Sequence, residues 1–473
     1  MLLYKSFTLK FLFYSIFIFE FILSKYVEIP AIYFEIQLFI LYLFIILKTL
    51  RKKGIFNLFS IFLLTLALFS FMGIFISLFS DKVDYKDLSA HAITTERIPD
   101  NIFNESILVY IFFLITIYWS YNFFDKKNIR PESLLVKCND ISFNKFLYRV
   151  GRIVFWFSII FTVYRSFLEF QLLRENRALL FMEGSANLGI PVFIRFMSTF
   201  LILGYYFIIA SNPPKKIFIL YSIFYFVPII PSLMIGNRML FAVYFLFLFW
   251  YLHKVYCQKF KTSLVLFWGC LIVILLQIIA LMRDDIDSQF SIIGLITMFF
   301  VLQSTSFYLM PLYITYKDNL LYYHYPFIFD PLWGSVMGAT GQSYEVLATR
   351  SGLGHQLIYT INPSYYLNGF SLGSSSVTEL YEFGLLGVGL GAILFAWIIN
   401  KIETMKINRY YLFFSFEIFY WIVSSPRNTY FFSLYNLMKL SLFAVFIYTF
   451  FLLLVIEKKL KRINVDIYLI ICI

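Results

Sequence analysis

Five arginines and a handful of acid–base groups are the residues of this chain whose types and placement could do chemistry. Arg174, Arg177, Arg238, Arg283 and Arg427 each stand at the end of an apolar run. A guanidinium is planar, presents several donors to a diphosphate, and stabilises a leaving group whose negative charge grows in the transition state. Gly236, just before Asn237 and Arg238, allows a tight turn into the next helix, whose first amides also favour an anion. Any one of these arginines equally fits a side chain snorkelling to the headgroup layer. It is the set, gathered on one side, that points to an anionic ligand.

The acid–base candidates are His324, Asp330, Glu345, His355, Glu379 and Glu382. Glu379 falls where a helix begins, one turn after Ser374, Ser375 and Ser376, so it either serves that helix N-terminus or receives a proton. His355 follows Gly352, Leu353 and Gly354 in a stretch that reads as a mobile loop, where it is either a surface histidine or a group that approaches a hydroxyl. Trp333, Tyr365 and Tyr366 offer faces for stacking on sugar rings, and equally fit an interfacial aromatic belt. Arg165 and Glu169, four apart, read as a salt bridge along one helix face.

The elements that must position these groups are membrane helices. The chain is 61% hydrophobic and 14% charged, with apolar runs of about 20 residues, the length a helix needs to cross a bilayer. Runs such as 55–79 and 431–456 are apolar on all faces, which excludes the alternation of a membrane β-barrel. The net charge of +12 lies in short clusters between runs rather than in one nucleic-acid-binding face. Cys138, Cys257, Cys270 and Cys472 have no paired spacing and no accompanying histidine, so neither a disulfide framework nor a zinc site is expected.

About twelve spans are expected: 6–23, 29–47, 55–79, 106–124, 150–173, 190–210, 217–235, 239–252, 263–282, 376–400, 410–424 and 431–456. Basic clusters at Lys48 to Lys53, Lys126 to Arg130, Lys215/Lys216, Lys254 to Lys261, Lys401 to Arg409 and Lys458 to Arg462 then share one side, the cytoplasm, with both termini. The chain divides into nine helices over 1–282, a large outer loop over 283–375, and three helices with a cytoplasmic tail over 376–473. Phe290 to Tyr316 is apolar enough to span, but Gln303 to Ser306 and Pro311 interrupt it and a crossing there breaks the charge pattern. It is expected to be an interfacial or re-entrant helix of the outer loop.

The chain resembles the Wzy-type O-antigen polymerases, or oligosaccharide repeat unit polymerases. The resemblance rests on Gly236, Asn237 and Arg238 opening a span, on the long outer loop, and on Ser376-Val-Thr-Glu379-Leu-Tyr-Glu-Phe-Gly384-Leu-Leu-Gly387 leading into a Gly-rich helix. It implies an all-α polytopic membrane protein with a GT-C-like bundle in the bacterial inner membrane. It also implies a glycosyltransferase without cofactor, metal or nucleotide, joining undecaprenyl-diphosphate-linked oligosaccharide repeat units at the periplasmic face in lipopolysaccharide biosynthesis. A chain-length regulator and a flippase are the implied protein partners, and nucleic acid is not. In that setting Glu379 and His355 are the catalytic candidates, the five arginines would hold diphosphate, and Trp333, Tyr365 and Tyr366 would hold sugar. The competing readings are an O-antigen ligase, which typically has a histidine where this chain has Ser374 to Ser376, and a lipid-linked oligosaccharide flippase, which has no need of so large an outer loop.

Overall fold

The computed structural model describes residues 14–24, 26–80, 85–86, 97–127, 141–175, 189–235, 238–283, 292–338 and 341–471. Among them the protein is all-α, with no strand. Its helices are α1 (Tyr14–Leu23), α2 (Ala31–Lys53), α3 (Leu58–Ser77), α4 (Asp100–Lys127), α5 (Ile141–Glu175), α6 (Val192–Ala210), α7 (Lys215–Phe226), α8 (Ile229–Ile235), α9 (Arg238–Tyr256), α10 (Thr262–Arg283) and α11 (Ile293–Asn319). They continue as α12 (Asp330–Met337), α13 (Tyr344–Thr349), α14 (Leu353–Ile361), α15 (Pro363–Leu367), α16 (Ser376–Tyr381), α17 (Gly384–Thr404), α18 (Arg409–Ser424) and α19 (Leu434–Ile471).

Nine of these, α2 to α6, α9, α11, α17 and α19, contain stretches long and apolar enough to cross a membrane. The architecture is therefore the expected polytopic bundle, with a different distribution of long helices. The expected span 217–235 is divided into α7 and α8 around Val227 and Pro228, because proline has no amide to continue the ladder and disfavours helix in the residue before it. The helix α18 has 16 residues, and the first apolar run is described only from Tyr14 onward. The run expected as an interfacial or re-entrant helix belongs to α11, one continuous rod of 27 residues that by length and composition alone could cross. The interrupting polar residues do not break it; Ser304–Tyr308 merely tightens to a 3₁₀ turn.

Apolar side chains gain nothing by leaving lipid for one another, so packing and polar ties must hold such a bundle. One end is tied by basic groups. Lys52 and Lys53 both reach Asp125, joining the ends of α2 and α4. Glu403 near the end of α17 accepts from the Leu58 amide at 2.7 Å and from Lys254 at 3.0 Å. Arg409 donates to Asn144 at 3.0 Å.

The other end carries the connecting segments that hold the site. The Gly73 amide of α3 donates to Ser304 Oγ of α11 at 2.9 Å, and Arg427, just beyond α18, donates to Gln303 at 2.7 Å. Phe307 lies with its ring 5.4 Å from both Phe103 and Tyr110 of α4. Tyr110 shares a hydrogen bond with Ser375 at 3.1 Å, and Tyr381 donates to Glu105 at 2.5 Å. The segment after α11 is not a loose loop: α12 to α16 form a helical layer over this end of the bundle.

Candidate functional site

The close approach of α16 to α17 depends on two glycines. A Cβ on Gly387 would lie 2.4 Å from the Leu380 carbonyl oxygen, and one on Gly391 would lie 2.4 Å from the Leu380 side chain. Glycine there lets the short helix bearing Glu379 lie against the long one, and the Tyr430 hydroxyl completes the contact by donating to the Gly391 carbonyl at 2.8 Å. Glu379 is fully buried. Its Oε1 accepts from Ser374 Oγ at 2.5 Å and its Oε2 from the Tyr430 amide at 2.8 Å. The carboxylate therefore does not serve the amides of its own helix; it pins the 371–375 segment to the turn between α18 and α19. Burial pushes its pKa well above the usual carboxylate range, against the pull of Ser374 and Tyr430, and the neighbouring Asp330 and Glu382 raise it further.

Ser374 is on the wall of a cleft of about 330 Å³ at this end of the bundle. Its lining comes from α12 and α14, from Ser371 to Ser374, and from Asn428 to Asn436 at the start of α19. His355 faces it from the first turn of α14, a helix where the sequence suggests a mobile loop. The glycines around His355 are packing necessities: a Cβ on Gly354 would lie 1.8 Å from the Gly373 carbonyl oxygen, and Gly373 itself has φ +77°. His355 Nδ1 is buried without a hydrogen-bond partner. Burial, reinforced by the nearby Arg350 charge and opposed by Asp330, pulls its pKa down to about 4, so the ring is neutral at physiological pH.

Beside it Arg350 grips the buried Asp330, with Nη2 at 2.6 Å from Oδ2 and Nε at 3.3 Å from Oδ1, while the Tyr325 hydroxyl donates to Oδ1 at 3.1 Å. Gly334 admits this fork, since a Cβ there would lie 2.4 Å from Arg350 Nε. Arg350 is not singled out by the sequence, where it is one basic residue in a long polar stretch. Its standing five residues before His355 in a Gly-punctuated turn is the only signal.

The arginines are placed as follows. Arg427 leads directly into the cleft-lining Asn428 and Thr429, but its guanidinium turns inward, to Gln303 and to the Phe69 ring 5.7 Å away. Among the described residues it has no carboxylate partner, and burial pushes its pKa below the usual arginine value. Arg174 ends α5, Arg238 opens α9 and Arg283 closes α10, all by backbone only; Arg177 is outside the described residues. Arg165 and Glu169 form the expected pair at 2.7 Å.

Of the aromatic candidates, Trp333 is exposed on α12. The Tyr365 ring is stacked on Phe370 at 4.1 Å. Tyr366 is fully buried, its ring 5.7 Å from that of His355, which it supports from behind.

The molecule is thus a helical polytopic membrane protein with a polar cleft at one bundle end, lined by a histidine, a buried aspartate and the arginine that grips it, with the buried Glu379 bonded behind Ser374. The chain belongs to the O-antigen polysaccharide polymerase Wzy family, whose model matches residues 6–459. No curated protein and no solved structure matches it.

Proposed function

We propose that this cleft is where a glycan on undecaprenyl diphosphate is transferred to the terminal sugar of a second lipid-linked repeat unit, at the periplasmic face of the inner membrane. The acceptor hydroxyl oxygen forms a bond to the donor's anomeric carbon. The anomeric carbon–oxygen bond to the diphosphate breaks, and the lipid diphosphate leaves with the electron pair. The hydroxyl proton passes through Ser374 to Glu379, whose raised proton affinity suits it to hold that proton. His355, kept neutral, orients the acceptor hydroxyl. The outer arginines Arg174, Arg177, Arg238 and Arg283 meet the charge that develops on the diphosphate, Arg427 holds Gln303 beneath the cleft instead, and Trp333 offers its open face to a sugar.

The observation that carries this reading is the 2.5 Å contact from Ser374 to Glu379, in a cleft wall shared with His355. Glu379→Gln tests it. The amide can still accept from the Tyr430 N–H while its NH₂ donates to Ser374 Oγ, so the fold persists and only the proton acceptor is lost. In a strain lacking the chromosomal copy, the variant is expected to accumulate normally and to leave lipopolysaccharide with a single repeat unit. Long-chain polymer would overturn the role of Glu379. Bare core in the deletion strain itself would point to a ligase or flippase instead.

A further inference from the structure

Asn436 stands on the cleft wall in the first turn of α19, and its amide can face in only one sense. Its Nδ2 donates to Glu417 Oε1 at 3.1 Å, and the other oxygen of that buried carboxylate accepts from the Tyr206 hydroxyl at 2.9 Å. A carboxylate offers acceptors alone, so the NH₂ of Asn436 must point to it and Oδ1 must point away. Asn436 is exposed and lines the cleft, and no described group donates to its Oδ1. Glu417 is thus a buried group in the bundle that fixes the polarity of one surface amide.

We infer that Asn436 is a specificity-determining residue, accepting a hydrogen bond through Oδ1 from a hydroxyl or acetamido N–H of a sugar in the cleft, with Glu417 as the positioning residue that holds the amide in that sense. The inference rests on the cleft being the site of glycosyl transfer. A site built to accept from a sugar donor discriminates against a sugar lacking it more strongly than an apolar surface does, because an acceptor left without its donor is penalised.

The experiment uses the purified full chain in lipid nanodiscs, with lipid-linked single repeat units extracted from a polymerase-deficient strain of the source bacterium as substrate. Asn436→Ala is expected to raise KM about tenfold, equivalent to about 1.4 kcal/mol, with kcat within about twofold of wild type. Asn436→Asp keeps an oxygen toward the cleft, and its carboxyl can share a proton with Glu417; it is expected to restore KM to within about threefold. Glu417→Gln can pair with Asn436 in either sense, so its KM is expected to lie between wild type and Asn436→Ala. Equal loss in Asn436→Ala and Asn436→Asp, or a fall in kcat alone, would overturn the inference, as would an unchanged KM in Asn436→Ala. Failure of the underlying reading is visible separately, as full activity in His355→Ala and Glu379→Gln.

Discussion

The chemistry of single residues here is set by what surrounds them more than by their type. His355 and Glu379 are both legible in the sequence as titratable groups beside glycine and serine runs. Their states are not, because they are set by burial and by groups that only the fold aims at them: Arg350 and Asp330 for the histidine, Ser374 and Tyr430 for the glutamate. The histidine makes a prediction that needs no substrate. Folded, it stays neutral down to about pH 4, whereas an unfolded chain takes up that proton near pH ~6.5. Between those values the unfolded state binds more protons, so this group makes stability fall as pH is lowered from about 6.5 to about 4. In nanodiscs, His355→Gln is expected to lose less melting temperature than wild type between pH 7 and pH 4.5. An equal loss in the two proteins would mean that His355 is not held neutral.

At the scale of elements, the long apolar helices were readable because membrane length leaves few alternatives, and eight of the nine candidate spans coincide with runs expected from the sequence. What could not be read was the order within 320–375, where polar residues and glycines resemble a loose connection. Those glycines are instead where helices touch: Gly354 against Gly373, and Gly334 against Arg350. The two members of the first pair should therefore respond differently to alanine. Gly373→Ala brings a Cβ no nearer than 4.0 Å to the Arg427 carbonyl oxygen, and incurs mainly the backbone cost of its positive φ, about 1–2 kcal/mol. Gly354→Ala drives a Cβ into the Gly373 carbonyl at 1.8 Å and must separate α14 from the 371–375 segment, an overpacking cost of about 1–3 kcal/mol or more. Membrane accumulation and melting temperature should thus fall further for Gly354→Ala than for Gly373→Ala. The reverse order would show that the contact between these segments is dispensable. The proline-broken pair α7 and α8 carries the same lesson, since Pro228 was visible but an apolar run on both sides masked the break.

For the whole molecule the question is which groups share a side of the membrane, and α11 decides it. By length and composition this helix could cross, and a crossing would carry Lys317 to the side of Lys401. Its contacts argue for the opposite arrangement. Gln303 and Ser304 meet Arg427 and Gly73 at the end of the bundle away from the basic ties. Further along, the Tyr313 ring lies 6.0 Å from that of Phe327, whose amide donates at 2.9 Å to Glu382, two residues before α17 begins. From there α17 runs 21 residues, about 30 Å at the helical rise, to Glu403 and its bond with Lys254. Lys317 thus belongs to the end where α17 starts, and Lys401 to the end where it finishes. The proposed periplasmic side of the cleft and the 320–375 layer follows if the basic clusters face the cytoplasm. In a chain whose four cysteines are replaced by serine, single cysteines at 317 and 401 are expected to react oppositely with an impermeant thiol reagent applied to intact spheroplasts: labelled at 317, protected at 401. Labelling of both, or of neither, would put the two ends on one side and remove the periplasmic placement on which the proposed encounter of lipid-linked substrates depends.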